Sequence, residues 1–240
     1  MKKTLPDQGN RMHENSSCPY FKDGRISTIE YIIPCRKDVE DFHKYLAKGY
    51  RRIGRIFYRN TCEQCADCLP LRIEAEKFIP SKSQRRVIRN NNDIRLDVLD
   101  RSTLTVEKAL LYHRYIQSKH GGKTGEDPID ALNVLQSIHY GYPGTIEIDY
   151  YLGDKLIGVG IVDEGKDALS SNYFYYDTDY LQRRPGVFSV LKEIELAQRL
   201  AKKYFYLGFC IEDNAKMSYK KFFRPNEIYE KDRWVEFLTS

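Results

Sequence analysis

Residues 145–211 read TIEIDYYLGDKLIGVGIVDEGKDALSSNYFYYDTDYLQRRPGVFSVLKEIELAQRLAKKYFYLGFCI. Apolar, aromatic and β-branched residues fill three runs, 145–152, 155–163 and 168–176, separated by Gly153-Asp154 and by Glu164-Gly165-Lys166-Asp167. Such runs, punctuated by turn residues, predict three consecutive strands. From Gly186 to Lys203 the period changes, and Val187, Val190, Leu191, Ile194, Ala197 and Ala201 share one face of a helix. A strand over 204–211 and a short helix over 214–223 are expected to follow.

Three strands, a long helix and a further strand predict a mixed α/β (α+β) sheet. The order resembles the core of acetyltransferase-type (GNAT) folds. Upstream, strands are expected over 25–33, 50–58, 71–78 and 94–99, with helices over 39–46, 82–91, 104–119 and 129–139. The loop Gly121-Gly122-Lys123-Thr124-Gly125 joins the last two. Three regions are expected: a flexible N-terminus over 1–17, a basic, cysteine-containing subdomain over 18–100, and a GNAT-like transferase domain over 101–240.

A chain of 240 residues with 41% hydrophobic content can bury a real core. The opening Met1-Lys2-Lys3 leads into no apolar run, so no signal peptide is expected. No stretch is apolar for long enough to predict a transmembrane helix. A cytoplasmic protein with no membrane partner is the expectation. In that compartment disulfides are rare, so the six cysteines read as metal ligands, reactive thiols or small core residues. Net charge is +5, but it is concentrated. Lys48 to Arg95 holds twelve Lys/Arg against five Asp/Glu, which points to a polyanion partner.

Cys62, Cys65 and Cys68 are spaced three apart. A tight turn can aim such thiols at one point, as a metal site requires. A fourth ligand is needed from elsewhere. Cys18 is the first choice, with Cys35, Cys210 and His43 as competitors. Zinc and an iron–sulfur cluster take the same thiolates, and spacing does not separate them.

Ser81 and Gln84 fit a capping box that opens the helix over 82–91. On that helix Lys82, Arg85, Arg86 and Arg89 recur at spacings of three and four, a cationic stripe. With Ser83 and the free amides of the first turn, they form a ready phosphate-binding element. Its binding should weaken with salt.

Several motifs carry a family resemblance. They are Cys18-Pro19-Tyr20, Gly49-Tyr50-Arg51-Arg52, Tyr58-Arg59 with Cys62, Cys65, Cys68, Pro70 and Arg72, and Ser81-Lys82-Ser83-Gln84-Arg85-Arg86-Val87. Further on stand Tyr175-Tyr176-Asp177, Glu193-Ile194-Glu195-Leu196-Ala197, Tyr206-Leu207-Gly208-Phe209, and Lys216-Met217 with Tyr219-Lys220. Together they resemble the arginyl-tRNA–protein transferases, most closely their bacterial relatives, the aspartate/glutamate leucyltransferases. The resemblance implies transfer of Leu or Arg from Leu-tRNA or Arg-tRNA to proteins beginning with Asp or Glu, in the N-degron pathway. It implies no DNA partner and no cofactor needed for transfer, although some members carry an iron–sulfur cluster on N-terminal cysteines. Lys82 stands where the family often has Arg, Cys210-Ile211 where it often has Trp-Ile, and Pro185-Gly186 where Leu-Gly is common.

Aminolysis of an ester by an α-amine calls for a base and a stabilised oxyanion. Asp177, at the end of the strand over 168–176, is the first candidate for orienting or deprotonating the amine, and Glu212 is the second. Lys216 or Lys220 is expected to meet the acidic acceptor side chain. A coenzyme-A-dependent N-acetyltransferase is an alternative. It is poorly served by Arg183-Arg184-Pro185-Gly186-Val187-Phe188, which offers one glycine where a pyrophosphate needs close backbone approach. A non-catalytic RNA-binding or metal-sensing module fits the basic block and leaves the C-terminal motifs unexplained.

Overall fold

The computed structural model describes residues 10–120 and 128–237. The loop 121–125 lies outside them. The three expected strands are β7 (Thr145–Leu152), β8 (Lys155–Glu164) and β9 (Ala168–Tyr176), an antiparallel meander. The long helix α6 (Pro185–Arg199) crosses back to β10 (Tyr204–Cys210), which pairs parallel with β9. Pro185 suits the first helical position, because its missing N–H has no partner to lose there. The expected helix over 214–223 is only a 3₁₀ turn at Ser218–Phe222.

These strands belong to an eight-stranded sheet ordered β12-β11-β5-β10-β9-β8-β7-β6. Its further members are β5 (Leu69–Glu74), β6 (Ile94–Leu99) and the hairpin β11 (Glu227–Glu230) and β12 (Arg233–Glu236). That hairpin was not expected, its strands being four residues each and half charged. Since β5 and β6 lie in the main sheet, the segment 18–100 is shared between two sheets rather than forming a subdomain of its own. One face of the sheet packs on α6 and α3 (Lys82–Arg89), through Ile73, Val162, Ile194 and Phe205. The other face meets α4 (Val106–His120) and α5 (Pro128–Tyr140), through Leu111, Leu135, Val159 and Tyr175. Among the described residues no helix is long and apolar enough to cross a membrane.

A smaller sheet is ordered β1-β2-β4-β3. It comprises β1 (Asn10–Ser17), β2 (Ile26–Ile33), β3 (Arg51–Ile53) and β4 (Ile56–Asn60). Two expectations change here. Residues 10–17 are not frayed, because their backbone pairs with β2 along its whole length although all but Met12 are polar. The single strand expected over 50–58 is a hairpin, because Gly54 turns the chain at φ +54°. Short helices α1 (Arg36–Glu40) and α2 (Phe42–Leu46) replace the one helix expected over 39–46. Phe42, Tyr45 and Phe57 pack this unit against Ala168 and Tyr206 of the large sheet.

A buried ion pair ties the two sheets. Arg52 Nε and Nη2 each donate at 2.7 Å to the two oxygens of Asp163 on β8, and both side chains are 1% exposed. Asp163 also accepts from Asn172 and Thr145, and Arg52 Nη1 donates to the Gly54 carbonyl at 2.6 Å. Buried charges are tolerated only when so fully bonded, and removing one partner strands the other. Asp163→Asn is therefore expected to cost about 3–5 kcal/mol and about 10 °C in Tm. Calorimetry and urea unfolding would measure this. A loss below about 1 kcal/mol, the range of an exposed pair, would show that the sheets do not depend on it.

Candidate active site

The parallel pairing of β9 and β10 is short. It runs from Tyr204 opposite Ala168 to Tyr206 opposite Ser170 and stops. Leu207 is an extra residue in the pairing of β10 with β5, and Gly208 follows at φ +85°. A bulge of this kind bends its strand. Beyond it the two strands part, and a cavity of about 800 Å³ opens between them. Tyr20, Arg51 and Tyr58 form one wall, Ser171, Tyr173 and Tyr176 of β9 another. Arg184, Pro185 and Gly186 at the start of α6 face Lys216, Tyr219 and Lys220 after β10.

Arg51 enters the cleft because Arg52, its neighbour on β3, is turned to Asp163, and side chains alternate along a strand. Its Nη2 donates to the Ser171 carbonyl at 2.7 Å. The guanidinium also fills the place of a side chain at position 208, where a Cβ would lie 1.5 Å from Arg51 Nη1. Lys220 Nζ donates to the Phe209 carbonyl at 3.0 Å. Enclosure lowers the Lys220 ammonium to about 7, and the neighbouring Arg51 charge adds to the fall. Lys216 is exposed at the rim. Among the described lining residues Arg51, Lys119, Arg184, Lys216 and Lys220 are cationic and none is a carboxylate.

Neither candidate carboxylate lines this cavity. Asp177 is bound at both oxygens: it accepts from the Asp179 amide at 3.1 Å and pairs with Lys155 at 2.8 Å. These contacts hold its carboxyl below the usual range, although burial works against them. It caps the 3₁₀ turn Thr178–Arg183 and faces a small recess beside Ile94 and Phe188. Glu212 is exposed and pairs with Lys221 at 3.0 Å. A carboxylate does stand beneath the cleft, Glu193 of α6, with no exposure at all. Burial pushes it up to about 8. Its signal was a Glu three residues after Val190, on the apolar face of the helix.

The basic helix stands beside the cavity. The capping box is present, with the Gln84 amide donating to Ser81 Oγ at 3.3 Å and the Ser81 amide donating to Gln84 Oε1 at 2.8 Å. Gln84 and Val87 turn inward, leaving Lys82, Ser83, Arg85, Arg86 and Arg89 exposed. Gln84 Nε2 reaches the Phe222 carbonyl and Asn91 Nδ2 the Arg183 carbonyl. These bonds fix α3 and the turn that follows it against the two segments that flank the cavity.

The thiols of Cys18, Cys62 and Cys65 lie near Cys68, whose thiol burial and these neighbours push up to about 12. Cys62 Sγ accepts from the Thr28 amide at 3.3 Å, and Cys65 Sγ from Arg25 Nη1 at 3.4 Å. Among the described residues no three His, Cys, Asp or Glu side chains close into metal-ligand distance of one point. Cys35 instead precedes α1, and Cys210 is buried in the large sheet. Tyr20, on the cavity wall, senses Cys68 and Cys18, so the thiol patch borders the cleft.

Two further arrangements resolve against other chemistries. Ser102, His139 and Glu147 meet, but Ser102 Oγ and Glu147 Oε2 both address His139 Nδ1. A relay needs the acid and the nucleophile on opposite ring nitrogens, and here Nε2 faces the Tyr175 hydroxyl. In the first turn of α6 Pro185 has no amide, and the Val187 and Phe188 amides both donate to the Arg184 carbonyl. That is a poor cradle for a coenzyme-A pyrophosphate.

Comparison with known proteins agrees with this geometry. The solved structure of FemX aligns over 96% of this chain and 88% of that one, with a TM-score of 0.52 at 9% identity, a likeness in fold alone. The aspartate/glutamate leucyltransferase of Saccharophagus degradans is 34% identical over 92% of this chain and 93% of its own length. That of Campylobacter jejuni (serotype O:6) is 36% identical over 88% of each. The family model for the N terminus of arginine-tRNA-protein transferase matches residues 16–86, and that for its C terminus matches residues 107–230. With both halves of the family pattern in order, and the cleft formed where they meet, the chain belongs to the arginine-tRNA–protein transferase family and is an aminoacyltransferase.

Proposed function

We propose that the cleft transfers leucine from Leu-tRNA to the α-amine of proteins beginning with Asp or Glu. The observation that carries this reading is its charge, five cations and no carboxylate among the described lining residues. A donor ending in phosphates and an acceptor with an acidic first side chain are both drawn to such a site. The same charge disfavours arginine as the donated residue, since a guanidinium would find cations and no partner. Leucine also agrees with the names of the relatives. In this reading the phosphates of the acceptor stem lie on Lys82, Ser83, Arg85, Arg86 and Arg89, and the aminoacyl end enters the cleft. Lys216, at the rim, meets the acceptor's carboxylate. The product, bearing a new N-terminal leucine, enters the N-degron pathway of the cytoplasm.

Cys18, Cys62, Cys65 and Cys68 supply the donor set for zinc or an iron–sulfur cluster. They neighbour one another around Cys68, with N–H groups aimed at Cys62 and Cys65; since no three of them reach metal-ligand distance of one point, such a group would have to draw them together on binding. Bound there, it would brace the wall that carries Tyr20, and no step of the transfer runs through it.

Three measurements test these statements. Incubated with labelled Leu-tRNA, Arg-tRNA or acetyl-CoA and a peptide starting with Asp, the protein is expected to transfer leucine. Transfer from Arg-tRNA alone, or from neither tRNA, would end the reading. Replacing Arg85, Arg86 and Arg89 together by Glu should raise the KM for tRNA at least about tenfold near 0.1 M salt and flatten the salt dependence by about two to three ions. An unchanged salt slope would take α3 out of the interface. Protein purified anaerobically should carry metal, and less than about a tenth of an equivalent would exclude a resident site.

A further inference from the structure

The cleft exists because β9 and β10 stop pairing, and that leaves strand carbonyls without their ladder partners. Side chains take over. Arg51 donates to the Ser171 and Asn172 carbonyls on β9, and Lys220 to the Phe209 carbonyl on β10. Lys220 is thus held at the inner wall, while Lys216 stands exposed at the rim. No carboxylate lies within ion-pair distance of Lys220 among the described residues, an unusual condition for an enclosed lysine. Beneath the same wall lies Glu193, and neither of its oxygens makes a well-formed hydrogen bond there. Gly160 leaves room for it: a Cβ at that position would lie 3.5 Å from Glu193 Oε1 and 3.7 Å from the Tyr150 hydroxyl.

We propose that Lys220, rather than a carboxylate, is the base that takes the proton from the acceptor's α-amine, and that Glu193, buried beneath the same wall, is a positioning residue that acts through it. The inference rests on the transfer reaction proposed above. The neutral α-amine attacks the ester carbonyl, a C–N bond forms, and the carbonyl π electrons move to oxygen. The extra proton on nitrogen passes to Lys220 Nζ. The oxyanion collapses, the bond to the ribose oxygen breaks, and Lys220 returns its proton to that oxygen. One peptide bond and one free tRNA hydroxyl result, and the lysine is restored.

Several groups face Lys220. They are Arg51 from β3, Cys210 from β10, Glu193 from α6 and Tyr219 beside it in the same turn. Enclosure, and then Arg51, lowers its proton affinity to about 7, while Cys210 and Glu193, where ionised, oppose them. An ordinary lysine, near 10.4, would be protonated at neutral pH and unable to accept. Glu193 is shifted the opposite way, to about 8. The two groups face each other electrostatically and titrate as a coupled pair.

The test is single-turnover transfer from saturating Leu-tRNA to an Asp-starting peptide, followed across pH. Wild type should show an acid limb in kcat near neutrality. Lys220→Arg keeps a cation beside Phe209 but cannot shed its proton. It should lose about 10²–10⁴-fold in rate with tRNA affinity retained, which also reports that it is folded. Glu193→Gln removes a group that favours the ammonium whenever it is ionised, so the limb should move to lower pH. Lys220→Arg within about threefold of wild type, or a Glu193→Gln limb that stays in place, would overturn the proposal while leaving the transfer reaction intact. A wild type that transfers no leucine would overturn both.

Discussion

The buried bond between Arg52 and Asp163 decides where most of the molecule can go. Two ions without exposure cost several kcal/mol each in lost hydration, and only a full set of partners offsets this. Those partners come from β3, β7, β8, β9, the turn at Gly54 and the end of α5. The pair therefore fixes the small sheet against the large one to within hydrogen-bond tolerance. Gly141 shows how tight the join is, since a Cβ there would fall 2.2 Å from the Gly54 carbonyl oxygen. Because neighbours on a strand point oppositely, the same pinning drives Arg51 into the gap between β9 and β10. One side chain holds the sheets together and the next holds the cleft open.

What the sequence made legible follows from which forces are local. The meander over 145–176 and the helix after Pro185 announce themselves by apolar period, and the structure has both. The capping box at Ser81 is a contact three residues long, and it forms as read. Polar β1 lacks an apolar period, and only its partner β2 makes it a strand. The β11–β12 hairpin depends likewise on β5. For the site, the cationic stripe and the lysines after β10 were readable as charges. Which carboxylate sits near the cleft was not. Asp177 follows β9, but the chain turns there and its oxygens go to Asp179 and Lys155. Glu193 could be read as a carboxylate beside the apolar face of its helix, but only the packing of α6 shows it buried under the sheet.

The thiol patch and the cleft are separate in chemistry and adjacent in space. Tyr20 belongs to both, its ring on the cavity wall and its position two residues from Cys18. Its carbonyl accepts from Asn214, in the loop that leads to Lys216 and Lys220. The N-terminal cysteine segment therefore bears mechanically on the loop that carries the lysines.

Gly208 has a wider consequence. With Arg51 occupying the space of its missing side chain, the opening between β9 and β10 is not a property of the C-terminal half. Left alone, those strands would have unsatisfied carbonyls on facing edges and every reason to zip together. The small sheet supplies the guanidinium that removes that appetite. The cleft is thus an assembled object, walled by residues from both halves of one polypeptide.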